Sequence, residues 1–431
     1  MASGNTRALT FFLIVAMLTF GSYNTVNTKL QDQTCAPTLD TISMVDHPDC
    51  PAGKKLFAKP WLQNVLMFVG EASMLVVYGA TKKRKHTASA TAAAGGGVTP
   101  DGGNGLLEPT AAGTKTPFYI FAIPAFCDVF GTGLAAVAML LLDSAIWQML
   151  RSAIIIFSAI ISVFFLKKRL QPFHWVATGI VFVGLIIVSL ANTLDAGDGS
   201  STATSPAKSL LGVALVIAAQ VCAAFQMCFE EMLLTGRAMT SAKRVVGWEG
   251  VWGLFYMIIM LTIMNNMSGS DAGHYEWFAD GVHMITHQPG LFFLCASYMV
   301  SISVYNLVGI TVGKKMSAVV RCLVDSCRTI VVWLVNIVLY YFVSPQYGAA
   351  WKAHTWLTVV GFMVLVVGTL LYNEVLPPPE CLQRPLDTPT DSTLPHGTSG
   401  SFVDGVYVKV DLTDEGEGRS STAREVQAQN A

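Results

Sequence analysis

Ten apolar stretches, each near the length a helix needs to cross a bilayer, recur along the chain. They cover residues 8–29, 61–81, 117–141, 145–166, 173–194, 209–234, 246–266, 290–312, 317–343 and 354–373. About 20 helical residues span the hydrocarbon core, and lipid offers no partner to open backbone N–H and C=O groups. The runs lack the two-residue alternation of a barrel strand. The sequence therefore predicts an all-α integral membrane protein of about ten transmembrane helices. Only 13% of residues are charged, against about a quarter in a soluble domain. A formal net charge of -1 leaves no basic surface of the kind that nucleic acid needs. Residues 11–20 imitate a signal-peptide core, but apolar character continues to Val26 and only Arg7 precedes it, so the segment reads as the first helix.

Basic residues in short loops set the orientation. Lys82-Lys83-Arg84-Lys85, Lys167-Lys168-Arg169, the group Arg237, Lys243 and Arg244, and Lys314-Lys315 all fall on one side if ten helices alternate. The opposite loops hold fewer, so both termini are expected in the cytosol. This divides the chain into helices 1–2 with a lumenal loop (1–85), a disordered cytosolic linker (86–116), helices 3–5 (117–194), a lumenal loop (195–208), helices 6–10 (209–376) and a disordered cytosolic tail (377–431). Tyr407-Val408-Lys409-Val410 in the tail has the tyrosine-x-x-hydrophobe form of a signal read by a sorting adaptor. Cys35 and Cys50 share one polar loop and are able to pair if that loop faces an oxidising lumen.

Residues 144–192 and 317–373 share a pattern: Ser-Ala, a polar patch with arginine, a long apolar helix, a polar turn, and a second apolar helix containing Trp and Gly and ending on Asn192 or Asn373. One unit starts from the lumen and the other from the cytosol, as in the inverted repeats of secondary transporters.

An ionisable residue at membrane depth is a functional candidate by default, because it is costly unless it faces a cavity or a partner. Glu71 and Asp128 lie about mid-helix. Ser144, Gln148, Arg151, Ser158 and Ser162 form one polar stripe on the fourth helix. Arg321, Asp325 and Arg328 share a face of the ninth. Arginine's fixed fork of donors suits carboxylate or phosphate, so Arg151 and Arg328 are expected to hold an anionic part of a solute. Pairing of Asp325 with Arg321 or Arg328, and of Glu71 or Asp128 with Arg151, is the purely structural alternative. Nearer the cytosol, Glu230, Glu231 and Glu249 are candidates for a salt-bridge gate, or simply pair with Arg237, Lys243 and Arg244. Pro124 is expected to kink the third helix just before Asp128.

Gly21-Ser22-Tyr23-Asn24-Thr25, Gly70-Glu71, Pro124-x-x-Cys127-Asp128-x-x-Gly131-Thr132, Gln148-Met149-Leu150-Arg151, Gln226-Met227-x-x-Glu230-Glu231, Val246-Gly247-x-Glu249-Gly250 and Leu323-Val324-Asp325-Ser326-x-Arg328-Thr329 together resemble the drug/metabolite transporters, specifically solute carrier family 35, subfamily F. The likeness covers residues 8–375. The resemblance implies two inverted five-helix repeats around a central cavity, alternating access, and an endomembrane home, lysosomal in preference to Golgi. On the membrane-depth argument, Arg151, Arg328, Gln148, Asp325 and Asn24 are the expected substrate-binding residues, and Glu71 and Asp128 are expected to balance charge or accept a proton. A nucleotide-sugar is one candidate solute, although the Gly-Ala-Leu-Asn-Lys element of well-studied nucleotide-sugar carriers is missing.

A secondary carrier of a small polar or anionic metabolite is thus the first expectation. It needs no cofactor and no metal; its partners are the solute and membrane lipid, and a homodimer is one arrangement the sequence allows. The alternative is a non-transporting endomembrane scaffold that docks partners through linker and tail. An enzyme is not expected, because no Asp-x-x-Asp, His-x-x-x-His or Ser/His arrangement lies at membrane depth.

Overall fold

The computed structural model describes residues 2–39, 50–51, 53–94, 116–142, 150–196, 206–235, 240–269, 271–343, 350–352, 354–379, 398–403 and 406–411. The chain divides into two units, Met1–Leu382 and Gln383–Ala431. The first is helical: α1 (Ala2–Asp32), α2 (Pro60–Ala94), α3 (Ala122–Leu141), α4 (Ile154–Phe165), α5 (Pro172–Ala196), α6 (Pro206–Thr235), α7 (Ala242–Asn266), α8 (Phe278–His287), α9 (Pro289–Lys315), α10 (Ala318–Val338) and α11 (Thr355–Tyr372). Among the described residues, nine helices are long and apolar enough to cross a membrane, and α4 is a shorter apolar helix. The protein is therefore an all-α, multi-spanning membrane protein.

Several boundaries follow from local chemistry. Helices α2, α5, α6 and α9 begin on Pro60, Pro172, Pro206 and Pro289. Proline suits the first turn, where its missing N–H has no intrahelical partner to lose. Ser317 starts α10: its backbone is extended and its side chain accepts from the Val320 N–H, the usual work of an N-cap hydroxyl. A short 3-10 turn (Phe118–Phe121) precedes α3, and Pro124 falls in the first turn of α3, where its missing N–H has little to lose. The fourth hydrophobic segment is not one continuous helix. Helix at Leu150 and Arg151 gives way to a turn at Ser152 and Ala153 before α4. Ser144 and Gln148 lie outside the described residues.

The main packing pairs are α5 with α11, α3 with α6, α2 with α7 and α1 with α9, followed by α1 with α10, α4 with α6, α2 with α9 and α3 with α7. One apolar cluster joins Met17, Ile155, Ala159, Val181, Leu323 and Leu365, from α1, α4, α5, α10 and α11. Large apolar residues such as Phe11, Phe12 and Met363 are exposed around the bundle, as a lipid-facing surface requires.

A cap covers the end of the bundle where α1 finishes and α2 begins. Strands β1 (Cys35–Pro37) and β2 (Lys54–Leu56) pair antiparallel, and a disulfide joins Cys35 to Cys50. Strands β3 (Ser268–Gly269) and β4 (Gly273–His274) form a second small hairpin, and α8 packs against β1. Helix α9 runs from this cap to Lys314 and Lys315, so the cap and the basic turns lie at opposite ends. The second unit contains an antiparallel hairpin of β5 (Thr398–Val403) and β6 (Val406–Asp411), with Phe402 opposite Tyr407.

Candidate functional site

Two groups of ionisable side chains lie inside the bundle. The first gathers Arg328 and Asp325 from α10, Tyr305 from α9, and Arg151 from the helical residues just before the turn that leads into α4. Arg328 Nε lies 3.5 Å from Asp325 Oδ1. The Tyr305 hydroxyl donates to the same oxygen. The Arg328 guanidinium lies over the Tyr305 ring, 5.6 Å from its centre. Arg151 is solvent-accessible and within electrostatic range of Arg328, Asp325 and Tyr305. Helix α1 closes on this group at Gly21, where an added Cβ would stand 2.7 Å from Arg328 Cδ and 2.8 Å from Tyr305 Cε2. Only a residue without a side chain permits that approach.

Asn24 follows Gly21 by three residues and so shares its face of α1. It is 5% exposed, and neither Nδ2 nor Oδ1 has a hydrogen-bond partner among the described residues. A buried amide that makes none of its bonds costs about 1–3 kcal/mol per unsatisfied group, which marks a position kept for something else. Thr28, four residues on, bonds the Tyr298 side chain. Tyr298 in turn lies within electrostatic range of both Arg328 and the second group.

The second group is acidic. Glu71 (α2), Asp128 (α3), Glu230 (α6) and Glu249 (α7) surround Arg321 (α10), all within mutual electrostatic range. Arg321 Nη1 donates to Glu230. Asn306 Nδ2 donates to Glu71, and Asp128 hydrogen-bonds Gln226. Glu249 Oε1 and Arg321 Nε have no partner among the described residues. Gly309 makes room for the guanidinium: a Cβ there would stand 3.1 Å from Arg321 Nε. Beside this group, Glu231 accepts from Lys168 and from the Ala318 N–H. It thus ties α6 to the α4–α5 turn and the start of α10.

Several of the pairings anticipated from sequence therefore fall out differently. Arg321 pairs with Glu230 and not with Asp325. Glu71 and Asp128 gather at Arg321 and not at Arg151. Glu230 and Glu231 take Arg321 and Lys168 as partners, while Arg244 donates to the Thr116 carbonyl 2.6 Å away; Arg237 lies outside the described residues. Ser158 and Ser162 are fully buried. Ser158 bonds the Ile155 carbonyl of its own helix and the Cys322 side chain of α10, and Ser162 contacts the Cys228 sulfur of α6. Tyr298, Tyr305 and Asn306 were missed, although three polar side chains spaced by seven and eight residues in one apolar span were a usable signal. Among the described residues, no three His, Cys, Asp or Glu side chains are placed to hold a metal ion.

The cap holds a third ionic group, outside the membrane. Lys59, 2% exposed, binds Asp271 and lies 3.0 Å from Asp280. Lys55 reaches Asp271 at 2.9 Å. Asp280 also accepts from Thr38 and the Leu39 N–H. Burial disfavours ionised Asp271, but Lys59, the Trp277 N–H and Lys55 outweigh it and hold its carboxyl below the usual range. Glu276 caps α2 by accepting from the Trp61 and Leu62 N–H groups. Burial dominates there and pushes its carboxyl up to about 7.

A multi-spanning helical bundle with ionic groups buried across several of its helices is the architecture of a membrane carrier. The chain belongs to the nucleotide-sugar transporter family, whose model matches residues 106–372. It is 31% identical over 383 residues to human solute carrier family 35 member F6, covering 87% of this chain and 90% of the relative. The rat protein of the same name is 30% identical over 388 residues, covering 88% and 92%. A solved structure described as "Crystal structure of protein" superposes over 86% of this chain and 98% of that one, with a TM-score of 0.50 and 13% identity, a likeness of fold alone. Family membership makes this a transport protein of the drug/metabolite superfamily and not an enzyme.

Proposed function

We propose that the chain is a secondary-active carrier of a small anionic metabolite, a nucleotide-sugar among the candidates, and that it works by alternating access. What supports this is Arg151 within electrostatic range of Arg328, with Asn24 on the Gly21 face of α1 that meets Arg328 and its amide without a partner among the described residues. Two guanidinium groups within electrostatic range repel, and an anion between them relieves that cost. Gln148, just ahead of Arg151, joins this site in the proposal, as does Asp325, which holds Arg328 in place.

Ten spans in two inverted repeats complete the reading. With α4 counted as the fourth span and α9–α11 as the eighth to tenth, the packing supports it. A shift of five exchanges pair 1–8 with 3–6, 1–9 with 4–6, and 2–8 with 3–7, and maps 2–7 and 5–10 onto themselves. Such internal symmetry is what two rocking repeats require. The solute must contact the two states differently, or no shift between them follows.

Glu71 and Asp128 act in charge coupling, with Glu230 and Glu249 as neighbours. Four carboxylates face one guanidinium, so full ionisation would leave a large uncompensated negative charge in the membrane; protons are the natural counter-charge. Opening of the Glu230–Arg321 and Glu231–Lys168 bridges accompanies the cytosolic-open state. The Cys35–Cys50 bond suits a cap on an oxidising, lumenal face and so supports cytosolic termini; an endomembrane, lysosomal in preference to Golgi, is the location in this proposal. Uptake of candidate anions into proteoliposomes tests the reading. Saturable uptake by wild type, lost in Arg151→Ala, is expected; undiminished uptake by that variant overturns the assigned site.

A further inference from the structure

At the basic end of the bundle lies a cavity of about 570 Å³, whose lining contains none of the residues of the two interior groups. The α4–α5 turn, the end of α9, the start of α10 and the end of α11 enclose it. Lys168, Arg169, Lys315 and His174 line it, and Glu374 is the one acid among its lining residues. Lys168 is engaged by Glu231. Arg169 and Lys315 are exposed and have no ion pair among the described residues. The first turn of the 21-residue helix α10 contributes Val319 and Val320 to the wall; its Ala318 and Val320 N–H groups are already bonded to Glu231 and Ser317, so Arg169 and Lys315 supply the site's positive charge.

The surroundings point to a ligand delivered by the membrane. Phe164, at the end of α4, is 81% exposed, and Trp175, one residue beyond His174, is 41% exposed. Aromatic side chains facing outward at helix ends mark the headgroup level of a bilayer. A basic pocket between helices at that level has the charge and the room for a phosphorylated headgroup. A phosphate monoester, with about -1.5 to -2 charge at neutral pH, matches two free cations better than a singly charged diester does.

We infer that this cavity is a binding site for a phosphate monoester, presented by the headgroup of an anionic lipid or by a soluble phosphate. The site does not depend on the identity of the transported solute. Native mass spectrometry of the purified full-length protein tests it. Four probes are offered: short-chain phosphatidylinositol 4-phosphate, phosphatidylinositol, phosphatidylcholine and free inositol phosphate. The wild type is expected to retain the monoester lipid in preference to the other two lipids. Arg169→Gln combined with Lys315→Gln should weaken that retention by more than tenfold, since each cation near a membrane surface contributes about fivefold. Lys208→Gln, an exposed charge elsewhere, should change nothing, and unchanged melting of all variants shows that the fold is intact. Free inositol phosphate retained as well as the lipid assigns the site to a soluble ligand; retention of the lipid alone assigns it to the headgroup. Equal retention of phosphatidylcholine, or an undiminished preference in the double variant, overturns the site.

Discussion

In the cap, Lys59 sits between Asp271 and Asp280, Lys55 adds a second cation, and backbone N–H groups from Leu39, Trp61, Leu62 and Trp277 take up further carboxylate oxygens. In the bundle, among the described residues, Arg321 is the one cation within range of Glu71, Asp128, Glu230 and Glu249, and Glu249 Oε1 has no hydrogen-bond partner. The same residue types thus build a nearly balanced network in one place and a strongly unbalanced one in the other. A balanced buried network fixes a structure. An unbalanced one stores a demand for charge that a proton or a moving element can meet. The cap network thus suits a fixed part of the architecture, and the bundle group suits the charge-coupling role proposed for it.

The sharpest break of that contrast is Arg321→Leu. It leaves four carboxylates with no cation, and should cost about 3–5 kcal/mol, read as lost thermal stability of the purified protein. Stability close to wild type would mean that the group is already neutral without Arg321. Lys59→Met makes the same test in the cap. It strands Asp271 and Asp280 and should cost about 3 kcal/mol. The loss should be confined to the cap, seen as faster hydrogen exchange over 268–287 with little change in α3 and α6.

The pH dependence sharpens the comparison further. Glu276 is raised from 4.5 to about 7, so the folded cap binds more protons than the unfolded chain between those values. Its stabilisation is fully present below pH 4.5 and is lost as pH rises through 7, a change of at most about 3 kcal/mol. Asp271, held low, works in the opposite sense, and its contribution is lost only as pH falls below the ordinary aspartate range. Hydrogen exchange in the cap should therefore slow as pH drops from 8 to 5, after correction for intrinsic rates, and Glu276→Gln should flatten the trend. A smaller effect is expected from Glu249→Gln. Removing one carboxylate from an overloaded group should leave stability unchanged or raise it by up to about 1 kcal/mol, while the pH dependence of uptake shifts. A loss of several kcal/mol would show instead that the charge of Glu249 is structural. Smallest of all, Tyr407→Ala should leave melting and uptake untouched and alter only the organelle distribution seen by microscopy.

The membrane class and nearly all the spans were legible because apolar runs of helical length have one physical solution in lipid. The costly residues were legible for the same reason: Glu71, Asp128, Arg151, Arg321 and Arg328 stand out against an apolar background. Their partners were not. Spacing along α10 put Asp325 within reach of both arginines, and only the packing of α6 against α10 gives Arg321 to Glu230. The cap was invisible because Lys59, Asp271, Glu276 and Asp280 look like ordinary loop charges until β1, β2 and α8 bury them. Tyr305 and Asn306 were hidden by their size and apolar company. The break after Arg151 was hidden because Ser152 and Ala153 carry no helix-stopping signal.

The most direct test is thermal stabilisation of the purified protein across nucleotides, nucleotide-sugars, organic anions, amino acids and cationic amines, since a ligand of the folded state raises its melting temperature by mass action. An anion on the Arg151–Arg328 site predicts a rise with at least one anionic ligand that disappears in both Arg151→Ala and Arg328→Ala. A rise that survives both substitutions, or one given only by cationic amines and abolished by Glu71→Gln or Asp128→Asn, would contradict it and move the solute to the acidic group.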